Sequence, residues 1–133
     1  MGVSDTHINL VRAMGSWAAT NCHPSESAVM LLDLPDTPKE NHPPNIGGFI
    51  PDLYISSTRL ILGEAKTARD LETKHSREQY AAYLIKLSQF QNSMFILAVP
   101  WYCVPQAKSL IARIKKIVNA SHVQSVFIEG LPG

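Results

Sequence analysis

Asp52, Glu64 and Lys66 are the side chains of this sequence best placed to do chemistry together. Asp52 begins one apolar segment, and Glu64 and Lys66 close the next one. Side chains two positions apart on a β-strand point to the same face, so Glu64 and Lys66 should project together while Ala65 faces away. If the two segments pair as a hairpin around Thr58, Asp52 falls opposite Glu64. Two carboxylates and an amine on one patch would suit a hard divalent cation beside a phosphate group.

These residues form a motif that reads Pro51-Asp52, eleven intervening residues, and then Glu64-Ala65-Lys66. In residue type and spacing it resembles the motif of the PD-(D/E)xK nuclease superfamily, whose members share the restriction-endonuclease-like fold. Both halves lie on short β-type segments with a plausible turn between them. The motif lies in the middle third of the chain. The order of predicted helices and strands resembles that of the superfamily over most of the chain.

The resemblance implies a metal-dependent nuclease that hydrolyses phosphodiester bonds in DNA. Mg²⁺, with Mn²⁺ as a substitute, would be held by Asp52, Glu64 and the backbone carbonyl of Ala65. Lys66 is expected to position the attacking water or to stabilise the transition state. Nearby carboxylates favour a charged ammonium group, so this role suits Lys66 better than that of a general base.

Gln79 is a further candidate, because many relatives of this fold carry a glutamine early in the helix that follows the lysine strand. The segment Ser76-Arg77-Glu78-Gln79 also has the pattern of a capping box, in which the Gln79 side chain would bond back to the start of its own helix. The sequence leaves both interpretations open.

The superfamily often adds an acid from its first helix or from just after it. The first predicted helix offers only Asp5, at its extreme start. Glu26, which follows that helix, is the best-placed substitute as an additional metal ligand.

An ordinary structural interpretation of the motif is also available. Asp52 would then cap a strand, and Glu64 and Lys66 would form an ion pair on one face of the next strand. The apolar residues 61–63 directly before Glu64 weaken this interpretation, because charges close to burial need a partner or a metal. If the motif arose by chance, Glu64 and Lys66 should lie far from Asp52 in the folded chain.

A predicted helix that Pro105 opens carries four cations on its outer face. They are candidates for contact with a nucleic-acid backbone, although a solvated helix face is the more ordinary explanation. The four are Lys108, Arg113, Lys115 and Lys116. The same helix is predicted to turn Ile117 and Val118 inward.

Trp101 and Tyr102 directly follow a predicted strand. They could stack on a nucleic-acid base. A role in the core or at an interface is the more ordinary interpretation.

Length and composition indicate one globular domain. The chain has 133 residues, 45% of them hydrophobic and 17% charged, and a net charge of +1 that gives only weak support for a nucleic-acid partner. No apolar run approaches the roughly 20 residues that span a bilayer, and the first ten residues do not have the pattern of a signal peptide. Cys22 and Cys103 are too few for a disulfide framework, which favours a cytoplasmic location.

The apolar periodicity predicts an α/β fold in which elements follow the order αβββαβ and then αβ. A central mixed sheet flanked by helices is expected, as in the restriction-endonuclease-like core. The predicted helices cover residues 5–20, 76–89 and a segment from 105 onward, and the predicted strands cover residues 28–34, 49–55, 59–66, 93–100 and 123–129.

These observations lead to two hypotheses. The first is a small DNA endonuclease of the kind found among junction resolvases, structure-selective or targeted by a partner protein, for which a homodimer is one arrangement. The second is a catalytically inactive protein of the same fold that binds nucleic acid or another protein.

Overall fold

A computed structural model describes residues 4–22 and 29–130 of the chain. Within them, the predicted order of helices and strands is confirmed. The elements are α1 (Asp5–Asn21), β1 (Val29–Leu32), β2 (Leu53–Ser56), β3 (Leu60–Ala65), α2 (Lys74–Leu87), β4 (Met94–Pro100), α3 (Val104–Ile117) and β5 (Gln124–Gly130). Short 3₁₀ turns cover Lys39–Asn41 and Trp101–Cys103. None of the described helices is long and apolar enough to cross a membrane.

The five strands form one mixed sheet in the order β1-β2-β3-β4-β5. The first three strands are antiparallel neighbours, whereas β3–β4 and β4–β5 are parallel pairs joined by the crossover helices α2 and α3. In the β2–β3 hairpin, Leu53 pairs with Gly63 and Ser56 pairs with Leu60. This register is centred on Thr58, as predicted.

Helices cover both faces of the sheet, so two apolar cores form. On one face, Leu10, Val11 and Met14 of α1 are buried in a cluster with residues of β2, β3 and β4. On the other face, α2 and α3 pack in a second cluster with residues of the same central strands. Every residue of β3 and β4 is buried, which explains why both strands are nearly continuous apolar segments.

Gly63 allows α1 to approach β3 closely. A Cβ atom at this position would lie 2.7 Å from Met14 Sδ and 3.0 Å from Leu53 Cβ, so any larger side chain would push against both neighbours. The residue after Gly63 is Glu64, and the close packing here therefore fixes the strand end that carries the candidate site.

Two local predictions are wrong. Helix α2 begins at Lys74 rather than in the predicted capping box, because the Thr73 hydroxyl caps it by accepting a hydrogen bond from Ser76 N at 3.1 Å. At the other end of α3, Ile117 is highly exposed instead of facing inward, whereas Val118 packs against the core.

Candidate active site

The motif residues meet at one edge of the sheet, where β3 ends and β2 begins. Asp52, Glu64, Lys66 and Gln79 are each at most 8% exposed. The carboxylate of Asp52 reaches the strand opposite, where its Oδ2 accepts a hydrogen bond from Ala65 N at 2.9 Å. The expectation that a chance motif would leave Asp52 far from Glu64 and Lys66 is therefore wrong.

Asp52 is held by contacts on both of its carboxylate oxygens. Besides the bond from Ala65 N to Oδ2, the Nε2 atom of His7 lies 3.4 Å from Oδ1. The Asp52 backbone carbonyl in turn accepts a hydrogen bond from Asp33 N at 2.9 Å. Asp52 thus ends the β2–β3 ladder with its side chain, and its orientation is fixed by three elements of the fold.

Lys66 contacts both remaining members of the constellation. Its Nζ donates a hydrogen bond to Gln79 Oε1 and lies 3.6 Å from Glu64 Oε2. Of the two interpretations of Gln79, only contact with the lysine agrees with the structure. The buried ammonium group therefore sits between an amide oxygen and a carboxylate, which fixes its direction.

Glu64 is the least satisfied group of the site. Within the described part of the chain, its Oε1 is buried without a hydrogen-bond partner, and so is the hydroxyl oxygen of nearby Tyr83. Burial raises the pKa of Glu64 well above its ordinary value, and the neighbouring charge of Asp52 raises it further, against the opposing effect of Lys66. Burial and the adjacent Glu64 also raise the pKa of Tyr83. The Glu64 carboxylate is thus a buried acceptor with an open position.

The donor set of this edge fits a hard cation. Asp52 and Glu64 would supply carboxylate oxygens and Ala65 its backbone carbonyl, the oxygen ligands that Mg²⁺ prefers while it keeps several waters. In residues 4–22 and 29–130, no three His, Cys, Asp or Glu side chains lie close enough to form a metal cluster by themselves. The proposed additional ligand, Glu26, lies outside the described residues. Asp5 is exposed at the start of α1.

Sequence reasoning missed two residues of the site, His7 and Tyr83. His7 lies in the first turn of α1, the region where an additional acid was sought, but a lone histidine has no spacing signal. The hydrogen bond to Asp52 raises the pKa of His7, and burial partly opposes this effect. Tyr83 occurs at the helical spacing of apolar residues that face a core. Its contact with Glu64 depends on how α2 packs on the sheet.

The raised pKa values of Glu64 and His7 predict that the metal-free protein loses stability as pH rises. The folded state holds both protons more tightly than the unfolded chain does, because in the unfolded chain the pKa is 4.5 for Glu64 and 6.5 for His7. Protonated Glu64 contributes its full stabilisation of the fold below pH 4.5, and protonated His7 does so below pH 6.5. Each contribution is lost as the pH rises through the raised pKa of that group in the folded state. Urea unfolding in EDTA between about pH 5 and 8 should show this decline.

Single variants assign the decline to its two sources. Glu64→Gln should remove the part that begins at lower pH, and His7→Gln the part that begins near neutrality. A free energy of unfolding that rises over this range in the wild type would contradict the prediction.

The four candidate cations of α3 do not form one free basic face. Lys108, Arg113 and Lys116 are exposed, and Arg113 Nη2 lies 3.8 Å from Glu72 Oε2. Lys115 is partly buried, where its Nζ donates a hydrogen bond to Ser125 Oγ on β5 at 3.1 Å and burial lowers its pKa. The prediction that all four lie outside is therefore wrong for Lys115.

Comparisons with protein-family models, with curated proteins and with solved structures found no match.

Proposed function

We propose that this chain is a metal-dependent endonuclease of the restriction-endonuclease-like fold that hydrolyses phosphodiester bonds in DNA. The observation that carries the proposal is the buried Glu64 carboxylate beside Asp52 and Lys66, whose Oε1 has no hydrogen-bond partner among residues 4–22 and 29–130. A buried carboxylate with a free oxygen is costly unless it takes up a proton or a cation completes its environment. The order of elements and the α/β sheet with helices on both faces are compatible with this fold.

The residues of the site would divide the work of hydrolysis. A Mg²⁺ ion, or Mn²⁺ in its place, bound by Asp52, Glu64 and the Ala65 carbonyl would lower the pKa of a water and neutralise phosphate charge. The Lys66 ammonium group would hold the attacking oxygen or stabilise charge that develops on the phosphate oxygens. Gln79 would keep Lys66 in this direction through their hydrogen bond.

The proposal extends to how the protein finds its DNA. Recognition would depend on DNA structure, on dimerisation or on a protein partner. A junction-resolvase type of activity and a homodimer with two sites belong to this proposal. So does a cytoplasmic location, which is compatible with the free thiols of Cys22 and Cys103.

The alternative is a catalytically inactive protein of this fold that binds nucleic acid or another protein. One observation favours it: Asp52 and Lys66, the other two charged groups of the motif, already have partners within the protein. His7 contacts Oδ1 of Asp52, and Gln79 accepts from Lys66. Metal binding distinguishes the two functions, because only the enzyme needs an ion at this edge.

Metal binding should therefore stabilise the folded protein. At a Mg²⁺ or Mn²⁺ concentration one hundred times Kd, the gain is about 2.7 kcal/mol, which raises Tm by several degrees. Asp52→Asn should abolish the rise, although its amide oxygen can still accept the hydrogen bond from Ala65 N. Asp36→Asn, which changes an exposed acid, is the matched control and should leave the rise intact. An equal rise in wild type and Asp52→Asn would place the ion elsewhere.

Cleavage is tested with labelled supercoiled, linear, single-stranded and four-way-junction DNA in Mg²⁺, Mn²⁺ or EDTA. Cutting that requires the metal and disappears in Asp52→Asn would support the enzyme, and the preferred DNA would define its class. If no substrate is cut under any of these conditions, the proposal of an enzyme fails and the binding function takes its place.

A further inference from the structure

Trp101 and Tyr102 form an exposed aromatic pair in the 3₁₀ turn that joins β4 to α3. Their side chains are 55% and 57% exposed, so the interpretation as core residues is wrong. The two rings contact each other edge to face, with centroids 5.7 Å apart. Two large aromatic surfaces are thus presented to solvent side by side.

The pair lies at the same edge of the sheet as the candidate site. Lys66 N donates a hydrogen bond to Ala98 O at 2.9 Å, where β4 runs parallel to β3. From Ala98 the chain continues through Val99 and Pro100 to Trp101, a distance of about 10 Å at 3.3 Å per residue. About three stacked nucleotides span that length at 3.4 Å each.

The turn that carries the pair is anchored on both sides. Pro100 ends β4 in a ladder with Gly130 of β5, and its ring fixes φ at −55° directly before Trp101. Cys103, the last residue of the turn, is buried in the core beside α3. An aromatic pair on such a support loses little conformational freedom when a ligand stacks on it.

We propose that Trp101 and Tyr102 are a stacking platform for unpaired bases of the strand whose phosphate reaches Lys66. The substrate class is then single-stranded DNA, or DNA with unpaired nucleotides next to the cleavage position. This inference rests on the proposed nuclease function and deepens it. Bases in an intact duplex are already stacked and paired, so they cannot offer their faces to the two rings.

The size and place of the patch favour nucleobases over a protein partner. Two aromatic side chains bury about 150–250 Å² each, whereas a stable protein interface needs about 800 Å² from each partner. The charged groups at this edge include Glu64 and Lys66 of the candidate site, which suit a metal and a phosphate, and Glu129, which pairs with Val99 on β4. A strand of nucleic acid offers both the phosphate and the base in one ligand.

The test measures DNA binding in EDTA, so that neither metal nor cleavage is involved. A fluorescein-labelled single strand and the duplex of the same sequence are titrated with wild type, Trp101→Ala and Tyr102→Ala. Each variant should raise the dissociation constant for the single strand about tenfold and that for the duplex less than about twofold. Trp101→Phe keeps a ring and should restore most of the affinity. Circular dichroism confirms that each variant is folded.

Phe90→Ala is the matched control. Phe90 is also an exposed aromatic residue, but it lines a cavity of about 440 Å³ beside Arg59, at the hairpin end opposite the candidate site. Its loss should leave both dissociation constants unchanged. As a second readout, Trp17→Phe leaves Trp101 as the sole tryptophan, whose fluorescence should be quenched by the single strand.

Three results would overturn the inference. The first is a Trp101→Ala variant that binds the single strand as tightly as wild type does. The second is a wild type that binds the duplex as tightly as the single strand. The third is a dimer in sedimentation that Trp101→Ala dissociates without a change in DNA affinity. The nuclease proposal fails separately. Single-strand binding that depends on Trp101, without cleavage in Mg²⁺, would retain the stacking platform and refute the enzyme. Mg²⁺-dependent cutting that Trp101→Ala does not affect would retain the enzyme and refute the stacking platform.

Discussion

Replacing Glu64 with glutamine is expected to abolish metal-dependent cleavage and, at the same time, to stabilise the metal-free protein. The carboxylate is buried, its Oε1 has no hydrogen-bond partner among the residues that the structure describes, and both burial and Asp52 raise its pKa. Glutamine resembles the protonated acid, so it removes the unfavourable charge but cannot replace a carboxylate metal ligand. Activity should fall at least about a hundredfold. The free energy of unfolding should rise by about 1–3 kcal/mol at neutral pH.

Both effects can be measured on the same preparations, as the cleavage rate in Mg²⁺ and as urea unfolding in EDTA. Glu72→Gln is the matched control: Glu72 is an exposed acid whose Oε2 lies 3.8 Å from Arg113 Nη2, so its loss should change stability by less than about 1 kcal/mol. A Glu64→Gln protein that still cuts, or that unfolds more easily than wild type, would show that this acid is a structural ion-pair partner.

Replacing Lys66 with methionine is expected to reduce cleavage by about 10²–10³-fold while leaving the metal ligands in place. The side chain keeps most of its length but loses the charge that lies 3.6 Å from Glu64 Oε2 and the donor to Gln79. The same change should destabilise the fold by about 3–5 kcal/mol, because a buried carboxylate and an amide oxygen lose their partner. Lys66→Met and Glu64→Gln should therefore both reduce cleavage, but Lys66→Met should lower the free energy of unfolding and Glu64→Gln should raise it.

The rise of Tm with Mg²⁺ separates catalysis from metal binding in Lys66→Met. It should persist in this variant, and it should also persist in Lys74→Met, the control at an exposed lysine that keeps full activity. If Lys66→Met cleaved DNA at the wild-type rate, the lysine would have no part in the reaction.

The central strands and the site hairpin could be predicted from the sequence because local rules determine them. β3 and β4 are buried on both faces, so their composition alone marks them as strands. The antiparallel register follows from the two-residue period and the turn around Thr58, and it places Asp52 beside the strand that ends at Ala65.

The features that the sequence did not predict depend on packing between distant elements. His7 reaches Asp52 because α1 packs on the face of the sheet with its first turn beside the start of β2, and no local pattern encodes that position. Lys115 has the spacing of an exposed residue, but β5 lies close enough for Ser125 Oγ to accept a hydrogen bond from Lys115 Nζ. The start of α2 was misplaced because Thr73 and Ser76 are both good capping residues, and only the backbone decides between them.

Two hydrogen bonds of the candidate site connect residues close together along the chain. The bond from Ala65 to Asp52 and the bond from Lys66 to Gln79 each span thirteen positions. Closing such short loops costs little entropy, and contacts of this kind speed folding, whereas the parallel pairing of β3 with β4 has to wait for a crossover helix. We therefore expect the segment from Asp52 to Gln79 to bring its charges together early, and β4 and β5 to bury them afterwards.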